Sequence, residues 1–207
     1  MPDNTDHDLL QIAKDAALKA GEAIMRLYDV GDFESYQKAD ESPVTSADYK
    51  ANEIITDILT LMSPDIPILS EETKHASLEE RKTWKRYWLI DPIDGTQEFI
   101  ARSGDFAVNI ALIEDNKPKI GVIFWPPGQS LYYALAGHGA FKDSPEASGP
   151  ISVRKLDDPH NSVVILAISR RQPRERVISK LCAKRVYQTL PLGSCSLKSC
   201  FIAEGKA

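Results

Sequence analysis

Cysteine is scarce in this chain. Cys182, Cys195 and Cys200 are the three present, an odd number with no CxxC pair. That pattern argues against a disulfide framework and points to reduced thiols in a cytosolic setting. Histidine is nearly as rare. His7, His75, His138 and His160 form no HxxxH or HxH pair, which speaks against a zinc site. No apolar stretch approaches the ~20 residues that a membrane helix needs. The start, Met1 to Asp8, is acidic and polar, so no signal peptide is expected. Positive charge is also in short supply: 25 Lys and Arg face 30 Asp and Glu, for a net charge of -5. A protein that coats nucleic acid is therefore disfavoured. A small phosphorylated substrate stays open, because a bound metal reverses the local sign. Nothing suggests a repeat or a low-complexity tract. The expectation is a cytoplasmic protein with no integral membrane segment, peripheral association at the inner membrane being left open.

What is present is an ordinary globular composition, 43% hydrophobic and 27% charged over 207 residues. That length supports one substantial core, so a single domain is expected. Leu9, Leu10, Ile12, Ala13, Ala16, Ala17, Ala20, Ile24 and Leu27 recur at helical spacing, predicting a long amphipathic helix that ends at Gly31 and Asp32. A second helix is predicted through Ile54, Ile55, Ile58, Leu59 and Met62, with Ser46 as its N-cap and Ser63-Pro64-Asp65 as its stop. Ile66–Leu69 reads as a short strand that delivers Ser70, Glu71 and Glu72 to its end. Lys74–Lys82 reads as a surface loop or short helix. Phe106–Ile113, Lys119–Trp125 and Ser130–Ala136 read as successive strands. Lys142–Gly149 is expected to be a mobile loop, and Val163–Ile168 a central strand. A helix over Pro173–Cys182, a strand over Arg185–Thr189 and a helix over Ser194–Glu204 complete the reading. The class is α/β with layered helices and sheets.

The run Trp88-Leu89-Ile90-Asp91-Pro92-Ile93-Asp94-Gly95-Thr96 carries the most chemistry. Apolar residues suit a buried strand with Asp91 at its exit. Pro92 is expected to stop that strand. Gly95 permits a backbone geometry that a side chain would block. Asp91 and Asp94 can then converge, and with Glu71 they offer hard oxygen ligands suited to Mg²⁺ or Mn²⁺. The Ile93 carbonyl can join them. Gly95 and Thr96 supply consecutive N–H groups for a phosphate. The same Asp-Pro-x-Asp-Gly string also makes an ordinary turn, and Glu71-Glu72 alone is a common solvated pair.

Other candidates keep two readings each. Asp48 and Thr96 can activate a water, yet an Asp in a first helical turn is also favoured by the helix dipole. Lys38 is a phosphate contact or a surface lysine. Ser169, Arg170 and Arg171 follow a strand, where an arginine can fork onto a phosphate or lie in a solvated loop. Ser194 and Lys198 share a face beside a helix N-terminus if that helix forms, a favourable place for an anion; ordinary capping by Ser194 is the alternative.

Taken together, these segments resemble the inositol-monophosphatase-like family of metal- and lithium-sensitive phosphatases over nearly the whole chain. Lys38-Ala39-Asp40 with Ser42–Asp48, Leu69-Ser70-Glu71-Glu72 and Asp91–Thr96 carry the family likeness. Gln97–Ile100, Phe106–Ile113, Ile168-Ser169-Arg170 and Gly193–Lys198 are similar to its 3′(2′),5′-bisphosphate nucleotidase branch. The resemblance implies a layered αβαβα sandwich. It implies hydrolysis of 3′-phosphoadenosine 5′-phosphate to AMP and phosphate, in sulfur assimilation or nucleotide recycling. By the same likeness Glu71, Asp91, Asp94 and the Ile93 carbonyl would bind Mg²⁺, two or three ions in a complete family member and fewer here. Asp48, Thr96 and Glu71 would serve catalysis. Gly95, Thr96, Ser169, Arg170, Ser194 and Lys198 would bind substrate. The oligomeric state stays open, a dimer included.

One departure bears on activity. The family carries a further Trp-Asp-x-Ala-Ala-Gly segment, whose Asp completes the second metal site, beyond the helix that ends here near Glu204. This sequence stops at Ala207 without it, and Cys195 stands where a small polar residue is usual. The expectation is a domain incomplete at its C-terminus, lacking the last strands and helices. Weaker metal affinity and uncovered apolar surface would follow. Two alternatives accompany the nucleotidase reading: an inositol or sugar monophosphatase, and a truncated remnant that binds metal or ligand without turnover.

Overall fold

The computed structural model describes residues 4–38, 40–156, 158 and 162–207. Ala39 of the early family-like segment and His160 lie outside the described residues. The chain opens with α1 (Asp6–Val30), whose Leu9, Ile12, Ala13, Ala16, Ala17, Ala20 and Ile24 face inward as their spacing predicts. Thr5 and Asp8 form a capping box at its start, and the Gly31 N–H closes its end on Leu27 O. A short hairpin follows, β1 (Ser35–Gln37) with β2 (Pro43–Thr45). It leads directly into α2 (Ser46–Met62). The N-cap of α2 is Thr45 and not Ser46: Asp48 at the third helical position reaches back to the Thr45 N–H, which makes Thr45 the residue a capping box requires. Ser46 Oγ instead accepts from the Glu34 N–H.

Seven strands build the main sheet. After β3 (Ile68–Ser70) and the single-turn α3 (Leu78–Arg81) come β4 (Arg86–Asp94), α4 (Thr96–Ile100), β5 (Ala107–Glu114), β6 (Lys117–Trp125), β7 (Ser130–Leu135), β8 (Gly139–Asp143) and β9 (Ser148–Pro150). Spatial order follows chain order from β3 to β9; β3 lies parallel to β4 and every other pair is antiparallel. The expected loop over Lys142–Gly149 is therefore shorter than the sequence suggests, because its two ends pair as β8 and β9.

One sheet face is covered by α1 and α2. Trp88, Ile90, Ile110, Leu112, Ile120 and Val122 point into that layer and are buried. Each such aliphatic side chain stabilises the fold by about 1.5–3 kcal/mol on burial. The indole N–H of Trp88 is satisfied inside the core by Ser63 Oγ at 3.0 Å. Ser63 in turn donates to Leu59 O at the end of α2.

The remaining elements are β10 (Val164–Ser169), α5 (Arg174–Ile178), β11 (Tyr187–Leu192) and α6 (Cys195–Ala203). β10 is not central to the main sheet: it pairs in parallel with β11 in a separate two-stranded sheet. The predicted helix over Pro173–Cys182 shrinks to the five residues of α5, none of them buried. Without an apolar face to bury, a longer helix gains nothing from packing. α6 contacts both β5 and the β10–β11 pair, so helix, sheet, helix and sheet follow as layers. Among the described residues no helix is long and apolar enough to cross a membrane.

Candidate active site

The decisive local feature is in β4. Asp91 pairs with Asn109 and Asp94 pairs with Ala107, so Pro92 and Ile93 on β4 stand against Val108 alone on β5. Residues three apart on a regular strand face opposite ways. The extra residue, a bulge holding Pro92, turns both carboxylates to one face. Pro92 thus does not stop the strand. It occupies the bulge, where the ladder needs no N–H, and β4 runs on to Asp94. Gly95 then takes φ 102°, and a Cβ there would stand 2.8 Å from Asp105 O. Gly95 also starts α4, whose first N–H groups have no side-chain cap.

Acidic groups gather around Asp91. Burial is the main force that lifts its carboxyl to about 8, and the charges of Glu71, Asp94, Asp48 and Glu72 push in the same direction. Asp91 Oδ1 is sealed from solvent and accepts no hydrogen bond from any described residue. A buried carboxylate oxygen with no donor, ringed by like charges, fits a site that is completed by a hard divalent cation. The residues present therefore suit such an ion.

The ligand candidates are held by other groups. Glu71 Oε1 lies 2.7 Å from Lys38 Nζ, and Glu72 Oε1 lies 2.6 Å from the same ammonium. Burial alone would lower the lysine; the bonds to both glutamates outweigh it and raise it above its ordinary value. Glu72 is itself raised by burial, against the pull of Lys38. Asp94 Oδ2 accepts from Ser194 Oγ at 2.5 Å, from the Ser196 N–H at 2.7 Å and from Ser196 Oγ at 2.5 Å. It thereby sits on the N-terminus of α6. With Glu71 and Asp94 so engaged, no three His, Cys, Asp or Glu side chains close into a ready cage among the described residues.

Asp48 and Thr96 meet. Thr96 Oγ1 is 3.1 Å from Asp48 Oδ1 and 3.2 Å from the Ile93 carbonyl. Asp48 is 1% exposed. Burial raises its carboxyl, while hydrogen bonds from Thr45 and Thr96 hold it down. Asp48 thus lies in the first turn of α2, where the helix dipole favours a carboxylate, and meets the Thr96 hydroxyl.

The remaining candidates are spread along the other side. Ser194 N-caps α6 through the Leu197 N–H and also donates to Asp94. Lys198 Nζ turns back onto the carbonyls of Ser194, at 2.7 Å, and Gly193, at 3.1 Å. Arg170 Nε donates to Asp105 Oδ2, and its side chain stays 48% exposed. Ser169 Oγ accepts from the Arg171 N–H. Arg171 itself binds Glu98 and Gln97.

Three groups escaped the sequence reading. Asp105 Oδ2 accepts from the Gly193 N–H at 2.9 Å, which ties the turn before α6 to the segment after α4. Ser196 supplies two of the three donors to Asp94. Asn109 brings an amide to the cross-strand position of Asp91. Only Asn109 left a signal, a lone polar residue in the apolar run Phe106–Ile113.

A pocket of about 590 Å³ opens beside the acids. Glu71, Asp91, Asn109 and Ser196 line its polar end, and Leu89, Ala111, Gly121 and Ile123 form an apolar floor on the sheet. Leu89 is 42% exposed there.

Known proteins share this arrangement of chain. The 3′(2′),5′-bisphosphate nucleotidase CysQ of Salmonella typhimurium is 44% identical over 192 residues, 92% of this chain and 75% of its own length. The CysQ of Aggregatibacter actinomycetemcomitans is 40% identical over 205 residues, 99% of this chain and 75% of its own. The crystal structure of CysQ from Bacteroides thetaiotaomicron, a bacterial member of the inositol monophosphatase family, superposes with a TM-score of 0.78 at 38% identity. That superposition covers 96% of this chain and 77% of the other. The profile of the inositol monophosphatase family matches residues 5–207, and the chain belongs to that family.

Proposed function

We propose that this protein is a metal-dependent 3′(2′),5′-bisphosphate nucleotidase that hydrolyses the 3′-phosphate of 3′-phosphoadenosine 5′-phosphate, giving AMP and phosphate. The observation that carries the chemistry is Asp91 Oδ1, buried and without a donor among the described residues, amid Glu71, Asp94, Asp48 and Glu72. The substrate class rests on relatives of 40% and 44% identity that are named for this activity. The pocket supports it too: its acids suit a metal-bound phosphate, and its apolar floor suits a base and ribose.

Glu71, Asp91, Asp94 and the Ile93 carbonyl would hold Mg²⁺. Bound Mg²⁺ supplies Lewis acidity toward the phosphoryl oxygens and lowers the pKa of a water. Thr96 Oγ1 orients the attacking water, and Asp48 Oδ1 accepts the hydrogen bond that fixes the Thr96 hydroxyl. The water oxygen bonds to phosphorus while the bond from phosphorus to the ribose 3′ oxygen breaks; the water gives up a proton through the Thr96 hydroxyl to Asp48, and the departing 3′ oxygen takes a proton from solvent. The uncapped N–H groups at Gly95 and Thr96 receive the phosphate. Arg170, with half its side chain in solvent, can reach a second phosphate, and Ser169, Ser194 and Lys198 border that side.

Lithium, a small hard cation, is expected to compete for the same oxygens. A cytoplasmic location accords with three free thiols, two of them exposed. Partners are small phosphorylated nucleotides and not nucleic acid. The test is phosphate release from 3′-phosphoadenosine 5′-phosphate by this chain, with and without Mg²⁺, beside inositol monophosphate. Mg²⁺-dependent release that favours the nucleotide supports the proposal. Equal or faster release from the inositol ester, or no release from folded protein, overturns it.

A further inference from the structure

Asp91 Oδ1 has a companion. Asn109 Oδ1 is likewise sealed from solvent and accepts no hydrogen bond from any described residue. The two residues are cross-strand partners in the β4–β5 ladder, and both line the pocket that holds Glu71. Once Asp91 has given up its proton, the paired residues present two buried oxygens that both only accept, neither with a donor among the described residues, and both have lost their hydration. Asn109 is also the only polar residue between Phe106 and Ile113. An aliphatic side chain there would suit the strand as well and leave no oxygen unpaired. The position therefore keeps an amide oxygen at a standing disadvantage in the metal-free protein.

A divalent cation removes that disadvantage. Hard cations take amide carbonyl oxygens alongside carboxylates. A neutral ligand has an electrostatic merit here, since four carboxylates already act on Asp91. A fifth would deepen their mutual repulsion, whereas an amide adds an oxygen without adding charge. We propose that Asn109 Oδ1 is an additional oxygen ligand for the cation held by Glu71, Asp91 and Asp94, placed on the sheet side of Asp91. The inference rests on the metal centre proposed above.

The experiment is calorimetric titration of the 207-residue chain with Mg²⁺ and Mn²⁺, together with thermal melts with and without Mg²⁺. Asn109→Leu, Asn109→Asp and, as a reference, Asp91→Asn are compared with the parent. Asn109→Leu is expected to bind metal about tenfold more weakly. Without metal it melts at or above the parent temperature, since an unpaired oxygen is gone, and Mg²⁺ raises its melting temperature less. Asn109→Asp keeps an oxygen and is expected to bind at least as tightly as the parent. Should Asn109→Leu fail to fold, Asn109→Ser takes its place in the same measurements.

Unchanged affinity in Asn109→Leu, with Asp91→Asn weakened, overturns the inference and leaves the metal centre standing. Equal losses in Asn109→Leu and Asn109→Asp also overturn it, because they assign Asn109 a donor role through Nδ2. A lower metal-free melting temperature with an intact Mg²⁺ shift marks a structural role and overturns it as well. If Asp91→Asn binds metal as the parent does, the metal centre itself fails, and the nucleotidase proposal with it.

Discussion

Lys38 Nζ lies 2.7 Å from Glu71 Oε1, so a candidate metal ligand is already neutralised by an internal cation. The same ammonium binds Glu72 Oε1, whose side chain is 3% exposed. Lys38 comes from the β1–β2 hairpin, where its N–H bonds Ser42 O. Metal at Glu71 and the lysine at Glu71 are therefore competing states.

Replacing Lys38 by Met should tighten Mg²⁺ binding. The pair is partly exposed, so the gain is modest, about two- to fivefold. Calorimetric titration reads it directly. Weaker binding in Lys38→Met would mean that the lysine orients Glu71 for the metal and does not compete with it.

Asp94→Asn should reduce phosphate release about a hundredfold or more, because a charged ligand is lost at the developing phosphoryl charge. The neutral side chain still offers an oxygen to Ser194 and Ser196, so a cooperative melt is expected to persist. Full activity in Asp94→Asn would remove Asp94 from the site.

The pH dependence follows from Asp91. Its carboxyl stands at about 8 in the folded, metal-free protein against an ordinary 3.8. Between those values the unfolded chain has lost the proton that the native state keeps. Native stability without metal should therefore be greatest toward pH 4 and fall as pH rises to about 8, levelling beyond it. Mg²⁺ must displace the same proton, so its affinity should rise with pH over this window, by about tenfold per unit well below the upper value. Titrations in buffers of different ionisation enthalpy count the released proton. No proton release near neutrality would contradict the raised carboxyl.

Gly95→Ala should destabilise the fold. The residue holds φ 102°, and a Cβ would meet Asp105 O at 2.8 Å. Strain and contact together amount to about 1–3 kcal/mol, or about 2–4 °C of melting temperature per kcal/mol for a chain of this size. A melt equal to the parent's would show that the Asp94–Thr96 turn relaxes without hindrance.

Much of this protein was legible before any fold was known. The inward stripe of α1 follows from its 3.6-residue spacing, a local property that any helix of this sequence would have. The oxygen-rich character of Asp91, Asp94 and Glu71 follows from residue type, as does the preference for a hard cation. The family could be read from segments such as Asp91–Thr96, because each is contiguous.

What tertiary structure decided is where unlike segments meet. Pro92 reads locally as a strand breaker, yet β5 supplies a ladder in which it becomes a bulge that turns Asp91 and Asp94 to one face. Ser46 reads as a cap until Asp48 reaches back to Thr45. The apolar run that becomes β10 looks central, but its parallel partner is β11 and the main sheet lies elsewhere. Neither the Lys38–Glu71 pair nor the grip of Ser194 and Ser196 on Asp94, 100 and 102 residues away, has a local signature. Residue type and short-range periodicity are written along the chain. Contacts between distant residues depend on which surfaces bury together, and that is settled only when the layers pack.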